Sequence, residues 1–224
     1  QSMKSESNKL AVRGELALIA MVIMNSAGVL LMLHSGSGIS AISSVPYGFQ
    51  QVFPQLTLGT WTYMFQGLLV LVLMLLRRKF IPSYLFSFVV GFVFGKLMDL
   101  EKPFIDALPL NIPMRVLYFV LSYLILCFGI SLGNRCGLPI TPTDLFPREM
   151  ADITKLPYAR VKITFDLTCL ITTAVITFVG VGAIRGLGIG TVVAACTMGK
   201  GISFIGSLLD KRLTFHSVLD GQKV

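Results

Sequence analysis

The sequence predicts an all-α polytopic membrane protein: six transmembrane helices in two inverted three-helix repeats, each with a broken or re-entrant helical segment after its first span. Three observations predict it. Hydrophobic residues make up 54% of the chain and charged residues 13%, with a mean hydropathy of +0.78, beyond the balance of a soluble domain. Several apolar runs approach the roughly 20 residues that a spanning helix needs. The two halves of the chain also align with each other at an offset of about 100 residues.

The runs are residues 16–33, 57–76, 81–98, 114–133, 163–182 and 187–209. They nearly exhaust the chain, leaving no room within it for a soluble domain. The opening "QSM" reads as the remnant of a cleaved expression tag, with the natural chain expected from Met3. The charged leader that follows enters the first run without a small-residue cleavage site, so that run is expected to serve as its own insertion signal. The resulting division is residues 1–14 as tag remnant and leader, 15–103 as the first repeat, 104–210 as the second and 211–224 as a tail.

Charge orients the spans. With a cytoplasmic N-terminus, only Lys102, Arg115 and Arg185 fall in outer segments, while Lys96 and Lys200 lie within spans. The remaining Lys and Arg residues, Lys162 among them, fall on the inner side. The positive-inside bias therefore predicts both termini in the cytoplasm. The formal charge of +8 is a topology signal toward an anionic leaflet rather than toward nucleic acid. Cys127, Cys136, Cys169 and Cys196 have no CxxC spacing and mostly lie in apolar runs, so no metal, cofactor or disulfide is expected.

The repeat is carried by "GVLLMLHSGSGISAISSVP" (28–46) and "GISLGNRCGLPITPTDLFP" (129–147). Gly28 pairs with Gly129, Gly36 with Gly137, Ile39 with Ile140, Ser40 with Thr141, Ser43 with Asp144 and Pro46 with Pro147. With small shifts, "MFQ" (64–66) meets "TFD" (164–166) and "VFGKL" (93–97) meets "TMGKG" (197–201). Three spans per unit is an odd number, so the second copy is inverted. Inverted repeats are a recurring transporter architecture with a site at the midplane.

Ile39, Ile42, Val45, Phe49, Val52 and Phe53 recur at helical spacing, with Ser40, Ser43, Ser44, Tyr47 and Gln50 on the other side. Pro46 predicts a break with a helix start near Ser44 to Pro46. In the second copy, Thr143 or Asp144 would cap a helix entered through Pro147. A helix N-terminus aimed into a cavity carries partial positive charge and unsatisfied N–H donors, which suits an anionic or polar ligand. The alternative is an amphipathic helix lying on the bilayer surface.

Four polar residues lie inside the predicted spans as repeat equivalents: Gln66 with Asp166, and Lys96 with Lys200. Buried charge is costly and finds a partner or a wet cavity. The expectation is an Asp166–Lys200 pair, with Lys96 beside Gln66 open to an anion; the alternative for Lys96 is snorkelling to the headgroups. His34 is expected as a solvated residue at a span end.

The run "SGSGISAISSVPYGF", then "LTLGTWTYMFQGLLVLVLMLL" and "SYLFSFVVGFVFGKLMD" resembles the pattern of the bacterial YczE and YitT-like membrane proteins. YitT-type chains carry a soluble C-terminal domain, so the shorter YczE-like branch is the nearer one. The resemblance implies a multi-pass protein of the bacterial inner membrane and supplies no catalytic residues.

The leading functional expectation is a transporter of a small anionic or zwitterionic metabolite. Its substrate-binding residues would be Ser40, Ser43, Ser44, Tyr47, Gln66, Lys96, Thr141, Thr143, Asp144, Asp166 and Lys200, in a protein compatible with homo-oligomerisation. The second expectation is a non-transporting membrane subunit, a substrate-capture component or an assembly partner. An enzyme is not expected, because the chain has no HExxH, no GxSxG and no Cys/His constellation within its spans.

Overall fold

A computed structural model describes residues 10–216. The expected tag remnant, most of the leader and the last residues of the tail lie outside the described residues. The elements run β1 (Leu10–Arg13), α1 (Gly14–His34), α2 (Ala41–Val52), α3 (Leu58–Arg77), α4 (Pro82–Asp106), α5 (Ile112–Gly133), α6 (Pro142–Thr154), α7 (Tyr158–Val181), α8 (Ile189–Arg212) and β2 (Leu213–His216). All of the helices except α2 and α6 are long and apolar enough to span a bilayer. The protein is an all-α membrane protein of six spans, as the hydropathy predicts.

Local chemistry sets the helix ends. The Thr57 hydroxyl accepts the Thr60 N–H at 3.1 Å and caps α3. Pro82 and Pro142 occupy the first turns of α4 and α6, where an amide hydrogen is not needed. α7 closes on Gly182 in the left-handed region. It opens at Tyr158, ahead of the predicted run, which takes Lys162 out of the expected loop and into the helix.

α2 and α6 correct two sequence expectations. Pro46 and Pro147 do not start helices: both lie inside them, and the N-caps are Ser40 and Thr141. An internal proline loses one backbone bond and crowds a carbonyl, at about 3 kcal/mol. In α2 this is offset by burial of Ile42 and Val45 against Cys169 of α7, with Phe49 and Phe165 packed alongside. Nor does α2 lie on the bilayer surface, because every residue from Ala41 to Pro46 is buried. Each short helix is entered through a left-handed glycine, Gly36 (φ 75°) or Gly137 (φ 70°), a conformation that residues with a Cβ adopt at a cost.

α1 packs on α4 and α5, α2 on α3, α7 and α8, α3 on α4 and α6, α4 also on α6, α5 on α8, α6 also on α7, and α7 on α8. Exchanging α1 with α5, α2 with α6, α3 with α7 and α4 with α8 leaves the α1–α5 pairing in place and turns every other one of these helix pairings into another of the same set. The ends of the helices meet in ion pairs. On one face Arg135 binds Asp210 at 2.6 Å and Arg77 binds Glu149 at 2.6 Å. The same face carries β1 and β2, paired in parallel with Arg13 opposite His216, so the leader and tail are tied together. On the far face His34 lies 3.9 Å from Asp106. His34 is not a solvated end residue: its side chain is 5% exposed, and a ring nitrogen lies 3.1 Å from the Leu108 carbonyl.

Candidate functional site

The site forms where the two short helices begin. Asn25 and Val29 lie near the middle of α1, and they line the same cavity as Ser40 and Ser43 of α2, Thr143 and Asp144 of α6, and Lys162 and Asp166 of α7. Phe94, Leu126, Ile130, Ala194 and Met198 close it with apolar surface. The cavity holds about 30 Å³, room for a water molecule and little more. The first turns of α2 and α6 thus approach one buried polar point. From it α2 leads toward the far face and α6 toward the face that carries the termini.

Gly91 makes room for this convergence. A methyl group there would stand 1.9 Å from Gln66 Oε1 and 2.9 Å from Pro142 Cδ, so its bare backbone lets α3 and the start of α6 close on α4.

The charges are tightly placed. Lys162 and Asp166, one helical turn apart, form an ion pair, and each residue is 1% exposed. Asp144 Oδ2 accepts from the Thr141 hydroxyl at 2.8 Å and from Asn25 Nδ2 at 3.4 Å. Asn25 Oδ1 and Ser40 Oγ are buried without a hydrogen-bond partner, in residues 2% and 4% exposed. Such orphaned polar atoms are costly unless something occupies the site. The two helix starts also differ. α6 carries Asp144 in its first turn, a built-in anion for its dipole, whereas α2 has only Ser43 at the corresponding place.

The predicted residues divide accordingly. Ser40, Ser43, Thr143, Asp144 and Asp166 line the cavity, and Thr141 holds Asp144. Gln66 does not line the cavity: its amide is buried without a partner in the space left by Gly91. Ser44 is used elsewhere: its hydroxyl bonds Thr173 at 2.7 Å and ties α2 to α7. Tyr47 is half-buried against Gly186, away from the cavity.

Lys96 and Lys200 are corrections. Both are exposed, and Lys96 rests between the Tyr63 and Phe92 rings at 6.0 and 5.7 Å. On α4 the inward residues are Val90, Phe94 and Met98, and on α8 they are Ala194, Met198 and Ile202. Residues two positions from an inward one point away from it, so Lys96 and Lys200 face the bilayer side. Asp166 pairs with Lys162, not with Lys200.

Sequence reasoning missed Asn25 and Lys162. Asn25 is a lone amide inside the first apolar run. Lys162 stands four residues before Asp166, the spacing at which helical side chains meet.

The family described as a family of unknown function (DUF6198) matches residues 12–207. The chain belongs to that family. No curated protein and no solved structure matches it.

Two basins flank the cavity of this DUF6198 protein. On the terminal face one is lined by Asn134, Arg135, Arg148, Tyr158, Ile202, Ser203 and Asp210. Asn134, Arg148, Tyr158 and Ile202 each stand four residues from a cavity residue, namely Ile130, Asp144, Lys162 and Met198. That spacing is one turn, about 6 Å of helix. The far-face basin is lined by Leu58, Asp99 and Asp106 among others. It is cut off from the cavity by Leu58, Met98 and Phe94, all buried in one apolar cluster.

Proposed function

We propose that this protein is a transporter for a small zwitterionic solute, built from two inverted repeats in a bacterial inner membrane with both termini in the cytoplasm. The observation that carries the reading is the meeting of the α2 and α6 N-termini at one small buried cavity whose lining residues include Asn25 and Ser40, each with a buried polar atom that lacks a partner. The exchange symmetry of the helix contacts and the matched glycines, caps and prolines of the two halves support inverted repeats. The charge bias along the sequence supports the orientation.

The residues select among solutes by charge. With Lys96 and Lys200 turned to the bilayer side, the cavity holds two carboxylates and one ammonium, so a plain anion is a poor fit. A zwitterion fits both helix starts. Its carboxylate would sit at the uncharged start of α2, near Ser40 and Ser43, where N–H groups and the helix dipole favour negative charge. Its ammonium would face Asp144 and Asn25 Oδ1. The closed cavity is too small for such a solute, so loading requires opening toward one of the basins, with the plugs of Tyr158 and of Leu58 and Met98 as the two gates. This is the arrangement alternating access needs.

Purified protein in liposomes, loaded with a panel of radiolabelled amino acids and betaines, tests the reading. Time-dependent accumulation that Ser43→Asp abolishes is the expected result, because that substitution puts a carboxylate at the start of α2, where the solute's own carboxylate would sit. Binding without accumulation would assign the protein to the non-transporting class, as a capture component, and absence of both would remove the zwitterion site.

A further inference from the structure

We propose that Asp144 binds a proton in exchange for the ammonium group of the solute, which makes the buried cavity a proton-coupling site. This inference rests on the transport reading for its purpose, though the proton site itself is testable without any solute.

The argument begins with charge balance. The polar and titratable groups around Asp144 are Lys162, Asp166 and Tyr158 from α7, Asn25 from α1, and Ser40 and Ser43 from α2, while α4, α5 and α8 present only apolar Phe94, Leu126, Ile130, Ala194 and Met198. Arg148, on its own helix, stands one turn away and lines the terminal-face basin instead. Among the described residues Lys162 is the one cation that lines the cavity, and Asp166 already holds it. An ionised Asp144 would therefore leave one negative charge that no cation balances, opposed only by the α6 dipole, beside a space of about 30 Å³. A lone buried carboxylate is among the costliest groups a protein can hold, and one proton removes the imbalance.

The hydrogen-bonding partners of Asp144 suit both of its forms. The Thr141 hydroxyl can donate to the carboxylate or rotate to accept from the acid. The Asn25 amide offers Nδ2 at 3.4 Å, and turned over it would offer the oxygen that now lacks a partner. The proton that Asp144 takes comes from the terminal-face basin, which begins at Tyr158, one helical turn from the cavity, and returns there when an ammonium displaces it. Since one carboxylate serves both cations, proton and solute cannot be held together, and such mutual exclusion couples their movements.

Infrared difference spectra of the protein in lipid bilayers, titrated with acid in the absence of solute, provide the test. A carbonyl band of a protonated carboxyl is expected to titrate in the wild type, to be lost in Asp144→Asn, and in Asp166→Asn to appear only at lower pH, because Lys162 is then free to compensate Asp144. Asn25→Ala keeps a full-length Asp144 and is expected to move the midpoint, by about tenfold in proton affinity for one hydrogen bond to a charged group; this variant carries the test where Asp144→Asn does not fold. A band that survives in a folded Asp144→Asn, a midpoint indifferent to Asn25→Ala, or a band abolished by replacing choline with sodium at constant pH would overturn the proposal. The last of these would assign the site to a metal cation. A titrating Asp144 in a protein that moves no solute would keep the proton site and remove the transport reading.

Discussion

Lys162 and Asp166 bury opposite charges on neighbouring turns of one helix, and what they contribute depends on their staying together. Removing one partner leaves an isolated charge in a dry site, at about 3–5 kcal/mol, whereas removing both with apolar replacements of similar volume is near neutral. Lys162→Met is therefore expected to lower the thermal midpoint of the detergent-solubilised protein sharply, and the double variant Lys162→Met, Asp166→Leu to recover most of the loss. If the double variant were as unstable as the single one, the charges would have a role that the pair alone does not explain. Lys96→Ala and Lys200→Ala, both at the lipid side, are expected to stay within about 0.5 kcal/mol of the parent. The sequence announced Asp166 as an intramembrane carboxylate but not its partner. Drawing the fifth span from Ile163 left Lys162 outside by one residue, where it counted as a topology charge. The outward direction of Lys96 and Lys200 was legible, since each lies two positions from residues that had to face inward.

At the scale of elements, α2 and α6 were legible as a pair but not in their boundaries. Matched glycines and prolines at an offset of about 100 residues led to the expectation of a short helical segment after the first span of each half. Proline was then given too much weight. Its local cost was read as a break, while the burial of Ile42 and Val45 against α7, which sequence cannot measure, keeps α2 helical through Pro46. The approach of α6 to α4 was equally hidden, because it depends on Gly91. Gly91→Ala would drive a methyl into Gln66 and Pro142, and overpacking of this kind costs about 1–3 kcal/mol. The expected outcome is a lower midpoint that Gln66→Ala partly restores by clearing the nearest clash. An additive double variant, with no recovery, would mean that the packing at this crossing is looser than its distances indicate.

At the scale of the whole molecule, six apolar runs sufficed to identify the spans, but the two basins lay beyond sequence reading because their walls come from helices far apart in the chain. The basins differ in what separates them from the cavity: on the terminal face apolar Ile202 stands beside Tyr158, whose buried hydroxyl has no hydrogen-bond partner, and on the far face Leu58 and Met98 are apolar throughout. A polar plug admits water more readily than an apolar one, so the closed protein is expected to open first toward the terminal face. Single cysteines at Ser203 and Gln50 sample the two basins and one at Val29 samples the cavity, in a Cys196→Ser background that removes the exposed native thiol. With cytoplasmic termini, a membrane-impermeant thiol reagent should label Gln50→Cys in intact cells and Ser203→Cys only in inverted vesicles. Val29→Cys should react from the Ser203 side when the protein is empty, and from the Gln50 side under conditions that load the cavity. Labelling of Val29→Cys from one face under every condition would mean that the cavity has a single entrance, which suits a protein that captures a solute and cannot carry it across.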